Sequence, residues 1–94
     1  MGTNGTGVPG APLRIQRGSE IPPRRQIALR LEAGIRDGGY PEGAKLPSVR
    51  AMGQRLGVHR DTVAAAYREL GRRGLVHAVP GSGVYVSPRE PVLA

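Results

Sequence analysis

The chain has 94 residues, enough for one small domain. Its formal charge is +7, and 13 of its 14 basic residues are arginine, so an anionic partner is expected. The guanidinium fork suits phosphates and guanine edges, although arginine usage in a GC-rich genome would give an ordinary basic domain the same composition. The chain has no cysteine, which excludes disulfides and cysteine-type zinc sites. No apolar run reaches the length of a membrane span or a signal-peptide core, so a cytoplasmic protein is expected.

The N-terminal stretch is poor in structure-forming residues. Residues 1–12 hold four glycines, two prolines and no charge, which predicts a disordered tail. Residues 13–16 alternate apolar and polar side chains and predict a short strand, followed by a turn at 17–20. The folded domain is therefore expected to cover residues 13–87.

A first amphipathic helix is predicted from about Pro23 to Asp37. Proline is tolerated in a first helical turn, where its missing N–H would have had no partner. Gly38 is expected to end the helix in the left-handed conformation. One apolar stripe at helical spacing predicts the buried face, and it consists of Ile27, Ala28, Leu31 and Ile35.

Two further helices with a glycine turn between them are predicted next. Residues 40–47 contain two prolines and a glycine and indicate an ordered loop, after which Ser48 can cap a second helix. Gly53 inside that helix indicates close approach of the next one, and Gly57 reverses the chain. In the third helix Arg60 and Thr62 project from the first turn. The apolar positions are Val49, Met52, Gly53 and Leu56 in the second helix, and Val63, Ala66, Tyr67 and Leu70 in the third.

The chain then changes to strand periodicity. Gly74 can end the third helix, residues 75–79 and 84–86 predict two strands, and Pro80 to Gly83 predicts the tight turn between them. The expected fold class is mainly α with a small β-hairpin, that is, a three-helix winged helix-turn-helix. Residues 88–94 are expected to be a linker or a frayed end.

Five short motifs follow one another between residues 26 and 86, and they are QI at 26–27, GAKLPSVR at 43–50, LGVHRDTV at 56–63, AYRELGRRGL at 66–75 and PGSGVYV at 80–86. In this order and spacing they resemble the DNA-binding head of the GntR family of bacterial transcription regulators. The AY pair and the PGSG tip are most similar to its MocR-type and YtrA-type branches. The resemblance implies a sequence-specific reader of duplex DNA, with the third helix in the major groove, the wing at the minor groove, and dimers on inverted repeats.

The resemblance also implies roles for single residues. Arg60 matches the arginine at the head of the recognition helix, and Arg50 matches the arginine of the LPS-x-R motif. Thr62 matches a contact to phosphate or a thymine methyl group, while Gly81 and Gly83 match wing-tip glycines near the minor groove. Two positions depart from the family pattern: His59 replaces the usual Ser or Thr cap and is itself a candidate phosphate contact, and Ala64 replaces a second arginine found in several members.

Other polar residues near these positions are candidates for positioning contacts. Lys45, Ser48 and Ser82 are expected at phosphates, and Ser82 can alternatively just fill a turn. For Lys45, Arg72 and Arg73 two interpretations are equally favoured, a phosphate contact or a solvated charge. For Arg50 the alternative is an ion pair within the chain, with Glu69 or Asp61 as partner. Tyr67 is expected in the core and not as a platform for stacked bases.

Nothing in the sequence favours catalysis. It contains no G-x-S-x-G, phosphate-binding loop or helical H-E-x-x-H motif, so we expect no enzyme activity and no cofactor. Two histidines without cysteine are too few for a metal site. Two alternatives stay open at this point. One is an interaction module that binds an acidic protein or RNA, and the other is the N-terminal part of a pyridoxal-phosphate aminotransferase-like regulator.

Overall fold

The computed structural model describes residues 15–88, which form three helices and a hairpin. The elements in chain order are α1 (Pro23–Arg36), α2 (Val49–Leu56), α3 (Arg60–Arg72), β1 (Val76–Val79) and β2 (Gly83–Val86). The strands pair antiparallel, with Val76 opposite Val86 and Val79 opposite Gly83. The predicted fold class and the order of its elements are confirmed. The predicted tail at 1–12 and residues 89–94 of the predicted linker lie outside the described residues.

The helices begin and end where the local sequence indicates. Ser48 caps α2, because its hydroxyl oxygen accepts a hydrogen bond from the Ala51 N–H at 3.0 Å. Gly38 after α1 and Gly57 after α2 have φ values of +85° and +71°, the left-handed conformation that glycine adopts without strain. Within residues 15–88, no helix is both long and apolar enough to span a membrane.

The core lies around α3, which packs against both other helices and touches β1. The stripe residues predicted for α1 and α3 are all buried, as are Met52 and Gly53 of α2. Val49 and Leu56, the other two positions predicted for α2, are half-buried and pack against this core. Leu46, Val76 and Val86 close the core from the side of the hairpin and the preceding loop. The predicted amphipathic faces are therefore the faces that the fold buries.

Gly53 allows α2 and α3 to meet at very short range. A Cβ at this position would lie 2.8 Å from the Val58 carbonyl oxygen and 3.4 Å from the Arg60 backbone nitrogen. Real Cβ atoms do not approach other heavy atoms as closely as the first distance. The close approach predicted from this glycine is thus present, with the turn and with the first residue of α3.

The predicted loop at 40–47 contains a short piece of sheet that the sequence did not indicate. The Gly43 N–H donates to the Val86 carbonyl at 2.9 Å, and the Leu46 N–H donates to the Val84 carbonyl at 2.8 Å. Lys45 pairs with Tyr85 as an isolated antiparallel bridge. This edge pairing ties the loop to β2 and buries Leu46.

The prediction of a strand at 13–16 is wrong for residues 15 and 16, the part of it that the structure describes. Ile15 and Gln16 have no strand partner, because the side chain of Gln26 takes the backbone groups of Gln16. The Gln16 N–H donates to Gln26 Oε1 at 2.8 Å, and Gln26 Nε2 donates to the Gln16 carbonyl at 3.0 Å. Residues 13 and 14 lie outside the described part. The predicted turn follows at Arg17 and Gly18.

Ion pairs connect α1 to α3 on the surface. Arg25 pairs with Glu69, and Arg73 binds Glu32 through two hydrogen bonds of 2.6 and 2.8 Å. Arg36 pairs with Glu32 at 2.8 Å. The hydrogen bonds from Arg73 and Arg36 hold the pKa of the Glu32 carboxyl below its usual range. The same carboxylate raises the pKa of Arg73, so each partner favours the charged form of the other.

Candidate nucleic-acid interface

The corner between α2 and α3 is short and well capped. Residues 57–59 connect the two helices. His59 is the N-cap of α3, where its Nδ1 accepts a hydrogen bond from the Asp61 N–H at 3.0 Å. The imidazole therefore performs the capping task for which the family usually has Ser or Thr. The ring stays exposed.

A shallow groove at this corner brings two of the predicted base-reading residues together. Arg60 is the first residue of α3, Arg50 lies in the first turn of α2, and both are exposed. Within residues 15–88 neither has an ion-pair partner. The intramolecular alternative for Arg50 does not hold, since Glu69 pairs with Arg25 and Asp61 lies beside His59. The groove is lined by Arg50, Gly53, Gln54, Gly57, Val58, His59 and Arg60.

Tyr67 holds the start of α2 in place from inside the domain. It is only 5% exposed, and its hydroxyl donates to the Pro47 carbonyl at 2.8 Å. Burial raises the pKa of Tyr67, so the phenol keeps the proton that it donates. Pro47 directly precedes the capping residue Ser48. The contact therefore fixes the position from which Arg50 projects and agrees with the prediction of Tyr67 as a core residue.

Thr62 lies on a different side of the leading turn of α3. It is half-buried and lines a second groove, between the N-termini of α1 and α3, together with Pro23, Arg24 and Asp61. The structure thus places Thr62 near Arg60 in the chain but outside the groove that Arg60 shares with Arg50.

The wing brings together the remaining predicted residues. Pro80 and Gly81 form the turn, which the Ser82 N–H closes by donating to the Val79 carbonyl at 2.9 Å, and Gly81 has φ of +78°. A Cβ at Gly83 would lie 2.8 Å from Lys45 Cε, so the lysine chain crosses the backbone at that glycine. The wing group consists of Lys45, Gly81, Ser82 and Gly83.

Sequence reasoning missed the aromatic pair on the wing. The Tyr85 hydroxyl is hydrogen-bonded to the Ser82 hydroxyl, and its ring stacks on His77 with centroids 6.1 Å apart. His77 Nδ1 lies 3.0 Å from Ser87 Oγ. Strand alternation indicates which side chains share a face of the hairpin, but it does not indicate which neighbours they contact.

The two arginines at the end of α3 differ in their contacts. Arg73 is held by Glu32, whereas Arg72 is exposed and has no ion-pair partner in the described part of the chain. Among residues 15–88, no three histidine, aspartate or glutamate side chains come together as a metal-binding group.

A helix-turn-helix followed by a two-stranded hairpin is the architecture of winged-helix DNA-binding domains. Residues 23–86 match the family model for bacterial regulatory proteins of the gntR family, and the chain belongs to this family. The resemblance drawn from the sequence motifs is therefore confirmed.

Curated relatives are transcription regulators. The HTH-type transcriptional regulator Rv1152 of Mycobacterium tuberculosis is 38% identical over 66 residues, which cover 70% of this chain and 54% of that protein. The probable rhizopine catabolism regulatory protein MocR of Rhizobium meliloti is 34% identical over 79 residues, which cover 84% of this chain and 16% of MocR. The chain thus spans about half the length of the first relative and far less of the second.

Solved structures with the same fold include a regulator bound to DNA. YtrA from Sulfolobus acidocaldarius, a GntR-family transcription factor, is 31% identical with a TM-score of 0.79 over 85% of this chain and 84% of that chain. The DNA-binding domain of AraR in complex with operator ORX1 is 28% identical with a TM-score of 0.74 over 79% of this chain and 94% of that chain. Residues 23–86 are accordingly the DNA-binding domain of a GntR-type regulator. The alternative of a module for acidic proteins or RNA is not favoured.

Proposed function

We propose that this domain recognises a specific duplex DNA sequence, with the leading turn of α3 in the major groove and the wing at the minor groove. The observation that carries the proposal is the exposure of the Arg60 side chain without an ion-pair partner. This guanidinium stands exposed at the first position of α3 and has no carboxylate partner within residues 15–88. A cation at a helix N-terminus is unfavourable in the field of the helix dipole, so an external anion or acceptor is its natural partner.

The predicted residues divide into readers and positioning contacts. Arg60 and Arg50 share one groove and can each present a planar fork to a guanine edge. The remaining candidates set the register along the backbone. In this proposal Thr62 contacts a phosphate or a thymine methyl group, Lys45, Ser48, His59 and Ser82 contact phosphates, and Gly81 and Gly83 let the wing backbone approach the minor groove.

The organisation of the chain and its assembly follow from the same proposal. Residues 13–87 would form the DNA-binding unit. Two copies would bind an inverted-repeat operator in the cytoplasm, with no enzymatic step in this domain. The family membership supports these assignments, because its members act on DNA in dimeric form.

Selection of bound duplexes from a random-sequence pool tests the proposal. An enriched inverted repeat is expected, with two chains bound to each duplex. Arg60→Ala should cost about 1–3 kcal/mol on the selected duplex and much less on random DNA, because it removes a base contact. A suitable control is Arg36→Gln, which removes the same charge at the far end of α1.

Several results would count against the proposal. If Arg60→Ala lost the same binding free energy on selected and on random DNA, Arg60 would not read the base sequence. Preference for single strands or RNA, or binding with little salt dependence, would indicate an interaction module, since duplex binding through phosphates weakens steeply with salt.

A further inference from the structure

The segment before α1 reaches across the domain to the corner of the helix-turn-helix. Arg17 Nη2 donates a hydrogen bond of 2.9 Å to the Gly57 carbonyl, 40 residues further along the chain. Gly57 lines the same groove as Arg50 and Arg60. A third guanidinium therefore lies at the edge of the groove that holds the two predicted base readers.

The position of this segment is fixed by one buried amide. Gln26 is only 8% exposed, and its side chain binds both the N–H and the carbonyl of Gln16. Gln26 Nε2 also donates to the Ile21 carbonyl at 2.7 Å. Gln26 thus clamps the segment at two points on either side of its turn and determines where Arg17 can reach.

The contact to Gly57 orients the Arg17 guanidinium without neutralising it. A carbonyl oxygen occupies one N–H of a group that carries several more and a full positive charge. No carboxylate pairs with Arg17 among residues 15–88, and its side chain is exposed. Gly57 has no side chain that would cover it. The remaining donors are free to bind an anion beside the groove.

We propose that Arg17 is a further DNA-contacting residue, which binds a backbone phosphate next to the entry of α3, and that Gln26 is its positioning residue. This inference rests on the proposed function. A phosphate is the target because Arg17 lies over the turn and does not project from the helix that enters the groove. The contact therefore raises affinity for all sequences and does not select among them.

The test uses the full 94-residue chain with the variant Arg17→Gln, which removes the charge and leaves a shorter polar side chain in its place. Binding is measured on the duplex selected above and on random duplex over a range of salt concentrations. We expect roughly fivefold to tenfold weaker binding on both, and a salt dependence reduced by the equivalent of about one phosphate. The melting temperature should stay unchanged, and Arg36→Gln should alter neither binding nor salt dependence.

A purely structural role for Arg17 gives a different result. If the guanidinium only satisfies the carbonyl at the end of α2, Arg17→Gln lowers the melting temperature or changes nothing, and the salt dependence stays that of the wild type. Either outcome overturns the inference. Replacing single flanking phosphates by neutral methylphosphonates provides a second measure. One such replacement should weaken the wild type and leave Arg17→Gln unaffected, and the absence of any such phosphate also overturns the inference.

The positioning role of Gln26 is tested by coupling. Gln26→Ala should weaken binding when Arg17 is present, whereas the double variant should bind no more weakly than Arg17→Gln alone. Additive losses would contradict the role of Gln26. Failure of the underlying function is distinguishable, because Arg60→Ala would then also leave the preference for the selected duplex unchanged.

Discussion

Replacing Gly53 by alanine tests how tightly α2 and α3 are joined. Alanine is favoured over glycine inside a helix by about 1 kcal/mol. Against this gain, the new Cβ would lie 2.8 Å from the Val58 carbonyl oxygen, a backbone atom of the turn. The Val58 N–H also donates to the Gly53 carbonyl at 3.0 Å, so the turn cannot move away without losing that bond. Overpacking at such a site costs about 1–3 kcal/mol or more, and we expect a net loss of about 1–2 kcal/mol.

Gly71 in α3 provides a matched control. A Cβ there would meet only the Val76 carbonyl oxygen at 3.8 Å, an ordinary contact, so Gly71→Ala should stabilise the domain by up to about 1 kcal/mol. Urea and thermal unfolding measure both variants, and each kcal/mol shifts the melting temperature of a domain this small by about 4–8 °C. Gly53→Ala should also weaken DNA binding, because Arg60 moves with the turn. Equal stabilisation by both substitutions would refute the close approach as the reason for Gly53.

Two further substitutions test the contacts that support the site. Tyr67→Phe removes the hydrogen bond to the Pro47 carbonyl and should lower the free energy of unfolding by about 1–2 kcal/mol in urea titrations; an unchanged value would mean that water replaces the phenol. Glu32→Gln should destabilise the domain near neutral pH but not in acid. Arg73 and Arg36 hold the pKa of Glu32 below its ordinary value of 4.5, so this stabilisation is present above that value and disappears as the pH falls through the lower, folded-state pKa. A difference between wild type and Glu32→Gln that is independent of pH would exclude the ion pairs as its cause.

The sequence predicts those parts of the fold that depend on neighbours in the chain. Helical spacing identifies the buried faces of α1 and α3, because both faces are continuous stripes. Ser48 and Gly57 identify the ends of α2, since capping and the left-handed turn depend on residues within one helical turn. The wing is predicted for the same reason, from Pro80 and Gly81 between two apolar runs.

The parts that were missed depend on partners far along the chain. The edge pairing of Leu46 with Val84 has no periodic signal, because one or two pairings next to prolines do not produce alternation. Gln26 sits among apolar stripe residues, and its buried role becomes visible only when the backbone of residues 16–21 lies against it. Arg17 carries no local signal either. The sequence therefore predicts the part of the candidate site at the helix ends, but it does not indicate the part formed by Arg17 and Gln26.

Ion pairs within the domain determine which arginines are available to DNA, and the net charge of the chain does not show which ones these are. Three of the arginines, Arg25, Arg36 and Arg73, are held by two glutamates along the contact between α1 and α3. Together these three arginines and two glutamates contribute only +1 to the formal net charge of +7. At the corner of α2 and α3, by contrast, Arg50 and Arg60 face solvent with no carboxylate partner in the described part of the chain. Counterion release on binding DNA counts only phosphates that meet such uncompensated charges. Exposed arginines without an ion-pair partner occur on all three helices of the described part of the chain, among them Arg24, Arg68 and Arg72, so Arg50 and Arg60 are distinguished from them by their place at the corner of α2 and α3.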